Sequence, residues 1–249
     1  MILENRAKKK RIHSFRQDEL LECEKLRVFM LMIAVGGFLG AYTFVLKGGV
    51  FCNAQTANFV MLAVQIGEFN WSRALYFFIP ISAYLLGAVL SEFLPKHVNN
   101  LELLRWETFF VAFEMICVFL MGFVPDDAPP QICQIAINFI ASMQFNTFRQ
   151  AKKVNMATTF CTNHLRQFGV NLVKWLRKRD RGSKEKIFMH FLMLTCFVAG
   201  GILSTFLCLH FKGRAIWFSE IILLIVFIDL LYADLNYEKD KIHVIPHGH

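Results

Sequence analysis

The sequence predicts an all-α protein, a polytopic bundle of transmembrane helices built from two related halves. Three observations carry this expectation: long apolar runs without a charged residue, a one-sided distribution of Lys and Arg, and polar motifs that recur 104–106 residues apart. Of the 249 residues, 55% are apolar or aromatic and 18% are charged. An ordinary soluble domain carries about 25% charged residues.

Taken in order, residues 1–27 are polar and basic, with Leu20, Leu21, Cys23 and Leu26 suggesting a surface helix that leads into the bilayer. No cleavable signal peptide is visible there. Residues 28–46, 74–91, 128–148 and 187–211 contain no Lys, Arg, Asp or Glu. About 20 mostly apolar residues span a bilayer core as a helix, so each reads as a span. Residues 108–124 and 215–233 are also apolar but carry one and two carboxylates, Glu114 in the first and Glu220 and Asp229 in the second. Residues 50–67 and 155–173 are more polar. They are expected either to insert part-way, giving six full spans plus two partly inserted segments, or to cross and make eight. The six-span reading is the simpler one.

Short loops rich in Lys and Arg stay cytoplasmic. With six spans and the N-terminus inside, 23 Lys and Arg fall on the cytoplasmic side and 4 outside, and the acidic loop 125–130 falls outside. The expected organisation is a basic cytoplasmic segment 1–27, a first repeat 28–124, a second repeat 131–235 with a basic cytoplasmic loop 174–186, and a cytoplasmic tail 236–249. The expected location is the cell membrane with both termini cytoplasmic. The net charge of +8 reports this orientation rather than nucleic-acid binding. The seven Cys are scattered through apolar runs and read as reduced thiols.

Ala41-Tyr42-Thr43-Phe44 resembles Phe145-Asn146-Thr147-Phe148 at an offset of 104, and Gln55-Thr56-Ala57-Asn58-Phe59 aligns with Cys161-Thr162-Asn163-His164-Leu165 at an offset of 106. The repeating unit is a span, a polar segment and two further spans. Three spans per unit would invert the second copy, an architecture recurrent in transporters. In the eight-span threading the units would instead be parallel.

These residues carry a family resemblance. Gly36-Gly37-Phe38-Leu39-Gly40-Ala41-Tyr42-Thr43-Phe44, Gly48-Gly49-Val50-Phe51 and Gln55-Thr56-Ala57-Asn58 resemble the YoaK family of bacterial membrane proteins. Met143-Gln144-Phe145-Asn146-Thr147-Phe148-Arg149 and Ala157-Thr158-Thr159-Phe160-Cys161-Thr162 agree in the second half. The resemblance implies a fold and a membrane location but no established activity. Gly40 stands where the family usually has an acidic residue, and Ala57 where it usually has Gly, so an ion-coupling acid would be absent or moved.

Polar groups inside a span are costly unless paired, which makes each a functional candidate. Asn53, Gln55, Thr56 and Asn58 from the first segment, with Thr158, Thr159, Thr162, Asn163 and His164 from the second, would form a neutral hydrogen-bonding site between the repeats. Equally, they would cap broken helices. Gln134, Asn138, Gln144 and Asn146 recur along one span and either line a pathway or bond between helices. Glu114 is the candidate for proton or ion coupling. Glu220 and Asp229 read as interfacial, or as partners of Arg214 or a base on another helix. No catalytic constellation, cofactor motif or metal spacing is present; His243, His247 and His249 in the tail are too loosely spaced. The expected function is a transporter or channel for a small solute, not an enzyme. The alternative is a scaffold or sensory partner of another membrane protein.

Overall fold

Long apolar runs favour helix in a bilayer because helix satisfies its own backbone polar groups, and the helix over Trp71–Asn99 continues through Pro80 and Pro95. The computed structural model describes residues 20–248, and expectations for residues 1–19 and for His249 lie outside them. The helices are α1 (Leu26–Leu46), α2 (Gln55–Gly67), α3 (Trp71–Asn99), α4 (Trp106–Met121), α5 (Gln131–Thr147), α6 (Thr162–Lys178), α7 (Arg181–Phe211) and α8 (Trp217–Asn236). Short 3-10 turns lie at Glu22–Glu24, Lys212–Ile216 and Lys239–Lys241. A small hairpin pairs β1 (Gln150–Ala151) with β2 (Val154–Asn155).

Leu26–Leu46, Trp71–Asn99 and Arg181–Asn236 are long and apolar enough to cross a membrane, the last holding α7 and α8 in series. The apolar helices thus point to membrane association. At 16 and 17 residues, α4 and α5 rise about 24 and 26 Å, a little short of a core about 30 Å thick.

The main packing partners are α1 with α7, α3 with α5, α2 with α3, α6 with α7, and α4 with α8. Two crossings are close because glycine sits in them. A Cβ on Gly200 of α7 would lie 2.0 Å from the Ala34 carbonyl of α1, and one on Gly87 of α3 would lie 2.4 Å from the Phe139 carbonyl of α5. Helix directions follow from the side-chain bonds. The start of α1 meets the end of α5, where Gln144 Nε2 donates to the Met32 carbonyl (2.9 Å) and Phe29 meets Phe148 edge-on. The end of α1 meets the start of α5, where Gln134 Nε2 donates to the Lys47 carbonyl (2.5 Å). The two helices are therefore antiparallel. The pair α4 and α8 is antiparallel as well: Thr108 Oγ1 donates to Asp234 (2.6 Å) at one end, and Trp217 Nε1 to the Phe119 carbonyl (3.0 Å) at the other.

We call the end that holds the start of α1 the lower end. A polar clasp closes it. Arg105, buried beside Glu107 (3.2 Å), donates to the carbonyls of Lys241 (2.6 Å) and Val244 (3.0 Å), and its amide donates to Asp234 (3.1 Å). Glu22 takes hydrogen bonds from Lys25, Arg27 and Tyr237. Glu24 meets His247 (2.6 Å), and Asp229 meets Arg27 (3.3 Å), a base on another helix. The segment before α1 is therefore not a continuous surface helix in its described part. It is a 3-10 turn pinned by the C-terminal tail, with Glu22 and Glu24 buried.

Each polar segment reverses into the next helix through the same device. Phe69 (φ 56°) and Arg179 (φ 52°) adopt the left-handed conformation, and the next residue caps the following helix. Asn70 accepts from the Arg73 amide (3.2 Å) and Asp180 from the Ser183 amide (2.7 Å), which satisfies one free N–H at each helix start.

Candidate functional site

Gly36 is the eleventh of the 21 residues of α1, about 15 Å of rise from either end. Two irregular segments reach it. After α1 the chain turns back through Gly48 and Gly49, both at positive φ (78° and 71°), and runs inward until Asn53 Nδ2 donates to the Gly36 carbonyl (3.0 Å). From there α2 climbs away. After α5 the chain passes through the hairpin and runs inward from the lower end. A Cβ on Gly36 would meet the Thr158 carbonyl at 2.3 Å and the Thr159 Cα at 3.2 Å. From there α6 returns. Both tips therefore touch the middle residue of α1, and only glycine leaves room for the second.

The polar segments 50–67 and 155–173 each begin with an inward leg and continue as a helix. Helix begins only at Gln55 and Thr162, so the inward legs are extended chain rather than helix. Neither α2 nor α6 has a side-chain cap on its first turn, which leaves backbone N–H donors at the tips.

The first tip is knitted through its side chains, although Gln134 Oε1 beside it is buried without a partner. Gln55 Nε2 donates to Asn138 Oδ1 (2.7 Å), Asn58 Nδ2 donates to the Phe51 carbonyl (2.8 Å), and Asn138 Nδ2 donates to the Gln134 carbonyl (2.7 Å). A Cβ on Gly40 would lie 2.6 Å from Asn53 Nδ2. The Asn53 amide thus fills the space beside Gly40.

The second tip is not. The hydroxyls of Thr158 and Thr159 are buried without a hydrogen-bond partner. Gln144 Oε1 is buried and unpartnered too, and its amide nitrogen sits on the Met32 carbonyl one turn from Gly36. Thr56 and Thr162, expected to face each other, are both exposed on the first turns of α2 and α6 and lie outside this buried set. Asn146 and Asn163 are partly buried; they bond Ser91 (2.9 Å) and Arg166 (3.1 Å).

His164 anchors the second tip. Its Nε2 lies 2.7 Å from the Ala157 carbonyl and its Nδ1 3.0 Å from Nδ1 of His190 on α7. The Ala157 amide also approaches Nε2, at 3.3 Å, but the carbonyl is the closer and only accepts; the assignment that satisfies it puts the His164 proton on Nε2 and lets Nδ1 accept from His190 Nδ1. The two histidines lie 26 residues apart on different helices, so no local spacing records the pair. A cavity of about 480 Å³ opens beside this tip and is lined by Arg149, Asn155, Ala157, Asn163, Arg166 and Gln167, among others. It reaches the residue next to Thr158.

Glu114 is elsewhere. It is fully buried on α4, with neither oxygen hydrogen-bonded, and α4 packs on α8 and α5 rather than on α2 or α6. Of the two acids in the last span, Asp229 takes a base on another helix, Arg27 (3.3 Å), and Glu220 Oε1 is buried and unpartnered. The seven Cys are free. No cluster of three or more metal-ligating side chains occurs among the described residues.

Residues 28–228 match a family described as a protein of unknown function, DUF1275. The chain belongs to this family. The match runs from the first helix into α8 and covers both polar segments, in agreement with the resemblance read from their motifs. No curated protein and no solved structure matches the chain.

Proposed function

We propose that this member of the family is a non-enzymatic membrane transporter or channel, with six crossing helices and two re-entrant ones in inverted repeats. The helix directions support the six-span threading. The starts of α1 and α4 share the lower end, which requires an even number of crossings between them; α1 and α3 supply two if α2 turns back. Inversion is supported by the antiparallel pairs α1 with α5 and α4 with α8. It is also supported by the exchanged glycine crossings and by the twin left-handed reversals at Phe69 and Arg179. The asymmetry of Lys and Arg favours a cytoplasmic lower end in the cell membrane, with both termini there.

The observation that carries the functional reading is the meeting of two re-entrant tips at Gly36, with three unpartnered buried oxygens around it. Buried polar groups without partners cost about 1–3 kcal/mol each, a cost that a hydrogen-bonding solute would offset. Thr158, Thr159 and Gln144 would accept, the uncapped first turns of α2 and α6 would donate, and Asn53, Gln55, Asn58 and His164 would hold the tips. Arg149 and Arg166 at the cavity mouth favour a small polar solute that is neutral or anionic. Glu114 would couple movement to a proton or ion, and the bilayer is the other partner; no nucleic acid is involved.

Purified protein in liposomes should catalyse flux of such a solute, found by screening small polar compounds. Thr159→Val should reduce that flux at least several-fold at unchanged folding. Wild-type liposomes without flux of any screened solute, together with solute-insensitive thermal stability, would favour the scaffold reading.

A further inference from the structure

We infer that the cavity beside the second tip binds a small monocarboxylate with a compact apolar body, such as an aromatic acid, and that Arg166 takes its carboxylate. The inference rests on the reading of the tip as a solute site and names the class of solute. The cavity holds about 480 Å³, within the range of about 300–1,000 Å³ that small-molecule sites occupy. Asn163, Arg166 and Gln167 stand at helical spacings of three and four, so one face of the first two turns of α6 forms a polar wall. Phe145 at the end of α5 and Phe160 before α6 form an apolar one, their ring centroids 4.7 Å apart and their planes inclined at 54°.

The charged groups around the cavity set the charge of its occupant. Two guanidiniums line it and no carboxylate does. Arg149 is already balanced. Its Nη2 donates to Glu92 (2.6 Å) and to Asn146 Oδ1 (2.6 Å), its Nε to the Asn146 carbonyl (2.8 Å), and its Nη1 to the Gly248 carbonyl (3.3 Å). Arg166 is not. It pairs with no acid among the described residues, and its Nη2 donates to Asn163 Oδ1 (3.1 Å), which leaves most of its N–H groups unused. One cation without a counter-charge calls for one negative charge. A guanidinium presents a planar fork that a carboxylate meets with two parallel hydrogen bonds.

Depth makes the unbalanced charge consequential. The second tip touches Gly36, the middle residue of α1, and α6 descends from there. Arg166 is four residues past Thr162, no more than about 6 Å of rise. On the re-entrant threading it therefore stands at least about 9 Å inside the lower face of a core about 30 Å thick. A lone guanidinium at that depth is costly unless it meets a counter-charge or a water-filled cavity. The first turn of α6 has no side-chain cap, so its positive end adds to the attraction for an anion. The Phe145 and Phe160 rings then give the remainder of the molecule an apolar wall, which inorganic phosphate or a short hydrophilic acid would leave uncovered.

The test is calorimetric binding to the purified protein in lipid nanodiscs, with empty nanodiscs as the blank. The probes are sodium benzoate, its neutral counterpart benzamide, sodium acetate and inorganic phosphate. Benzoate should bind at least about tenfold more tightly than each of the other three, and Arg166→Gln should weaken it by a similar factor. Benzoate no tighter than benzamide, an affinity unchanged in Arg166→Gln, or no detectable benzoate binding would overturn the site. Phosphate or acetate bound as tightly as benzoate would overturn the apolar body. If Arg166→Gln fails to fold, Arg166→Lys decides: it keeps the charge but loses the fork, so benzoate should weaken, and an unchanged affinity refutes the role of Arg166. In liposomes, benzoate that binds but does not move would sink transport and leave the site. Flux of a neutral solute by protein that does not bind benzoate would sink the site and leave transport standing.

Discussion

Replacing Gly36 by Ala tests the central contact of the molecule. The added Cβ would lie 2.3 Å from the Thr158 carbonyl oxygen, where ordinary contact begins near 3.4 Å. The second tip must therefore retreat by about 1 Å, and because the obstacle is backbone, no rotamer change relieves it. Such overpacking costs about 1–3 kcal/mol. Ala also gains helix propensity over Gly, by about 1 kcal/mol, so the comparison needs a control that gains this alone. Gly169→Ala in α6 is that control, since nothing lies within 4 Å of its added Cβ. The difference between the two variants isolates the clash. For a chain of this size about 1 kcal/mol shifts Tm by roughly 2–4 °C, so Gly36→Ala should melt about 2–12 °C below Gly169→Ala in detergent. Maleimide labelling of Cys161, two residues beyond Thr159 and half-buried, should quicken as the tip shifts. Equal melting temperatures and equal labelling rates in the two variants would refute the packing of the tip on α1.

Gly200→Ala should lower Tm more than Gly36→Ala, because its Cβ would meet the Ala34 carbonyl at 2.0 Å, whereas Gly201→Ala, with neighbours no nearer than 3.6 Å, should leave Tm unchanged within about 2 °C. Burial pushes the Glu22 carboxyl up, but hydrogen bonds from Lys25, Tyr237 and Arg27 hold it below the ordinary value of 4.5. A group lowered on folding stabilises above its unfolded pKa and loses that contribution as pH falls through its folded one. Wild type should thus lose stability below about pH 4.5, with a slope that Glu22→Gln flattens; identical slopes in thermal melts would discount the clasp. In a Cys-free background, single Cys residues at positions 126 and 180 should label from opposite faces of intact cells with an impermeant reagent, and labelling of both from outside would overturn the six-span threading.

Much of the architecture was legible in the residues themselves. A charge-free run of apolar residues has one low-energy form in a bilayer, so α1, α3, α5 and α7 followed from composition. The 104–106 offset drew attention to two polar segments with similar Asn and Thr residues. The same residues gave no guide to depth. Thr56 and Thr162 were the natural candidates for a shared site, yet they sit exposed on first turns, and the buried contacts go to Asn53, Thr158 and Thr159. A three-residue shift along an extended leg moves a side chain by about 10 Å, and nothing in a local pattern records where a leg stops.

What the sequence determined alone is therefore the helical class, the apolar helices that point to membrane association, and the two polar interruptions, since all of these depend on local composition. Only the tertiary structure decided that both interruptions end on Gly36, that His164 finds His190, and that Asp229 finds Arg27. Those are contacts between distant segments. They are set by which helix backbones can approach closely, at Gly37, Gly87 and Gly200, and that approach is a property of the packed bundle rather than of any one run of residues.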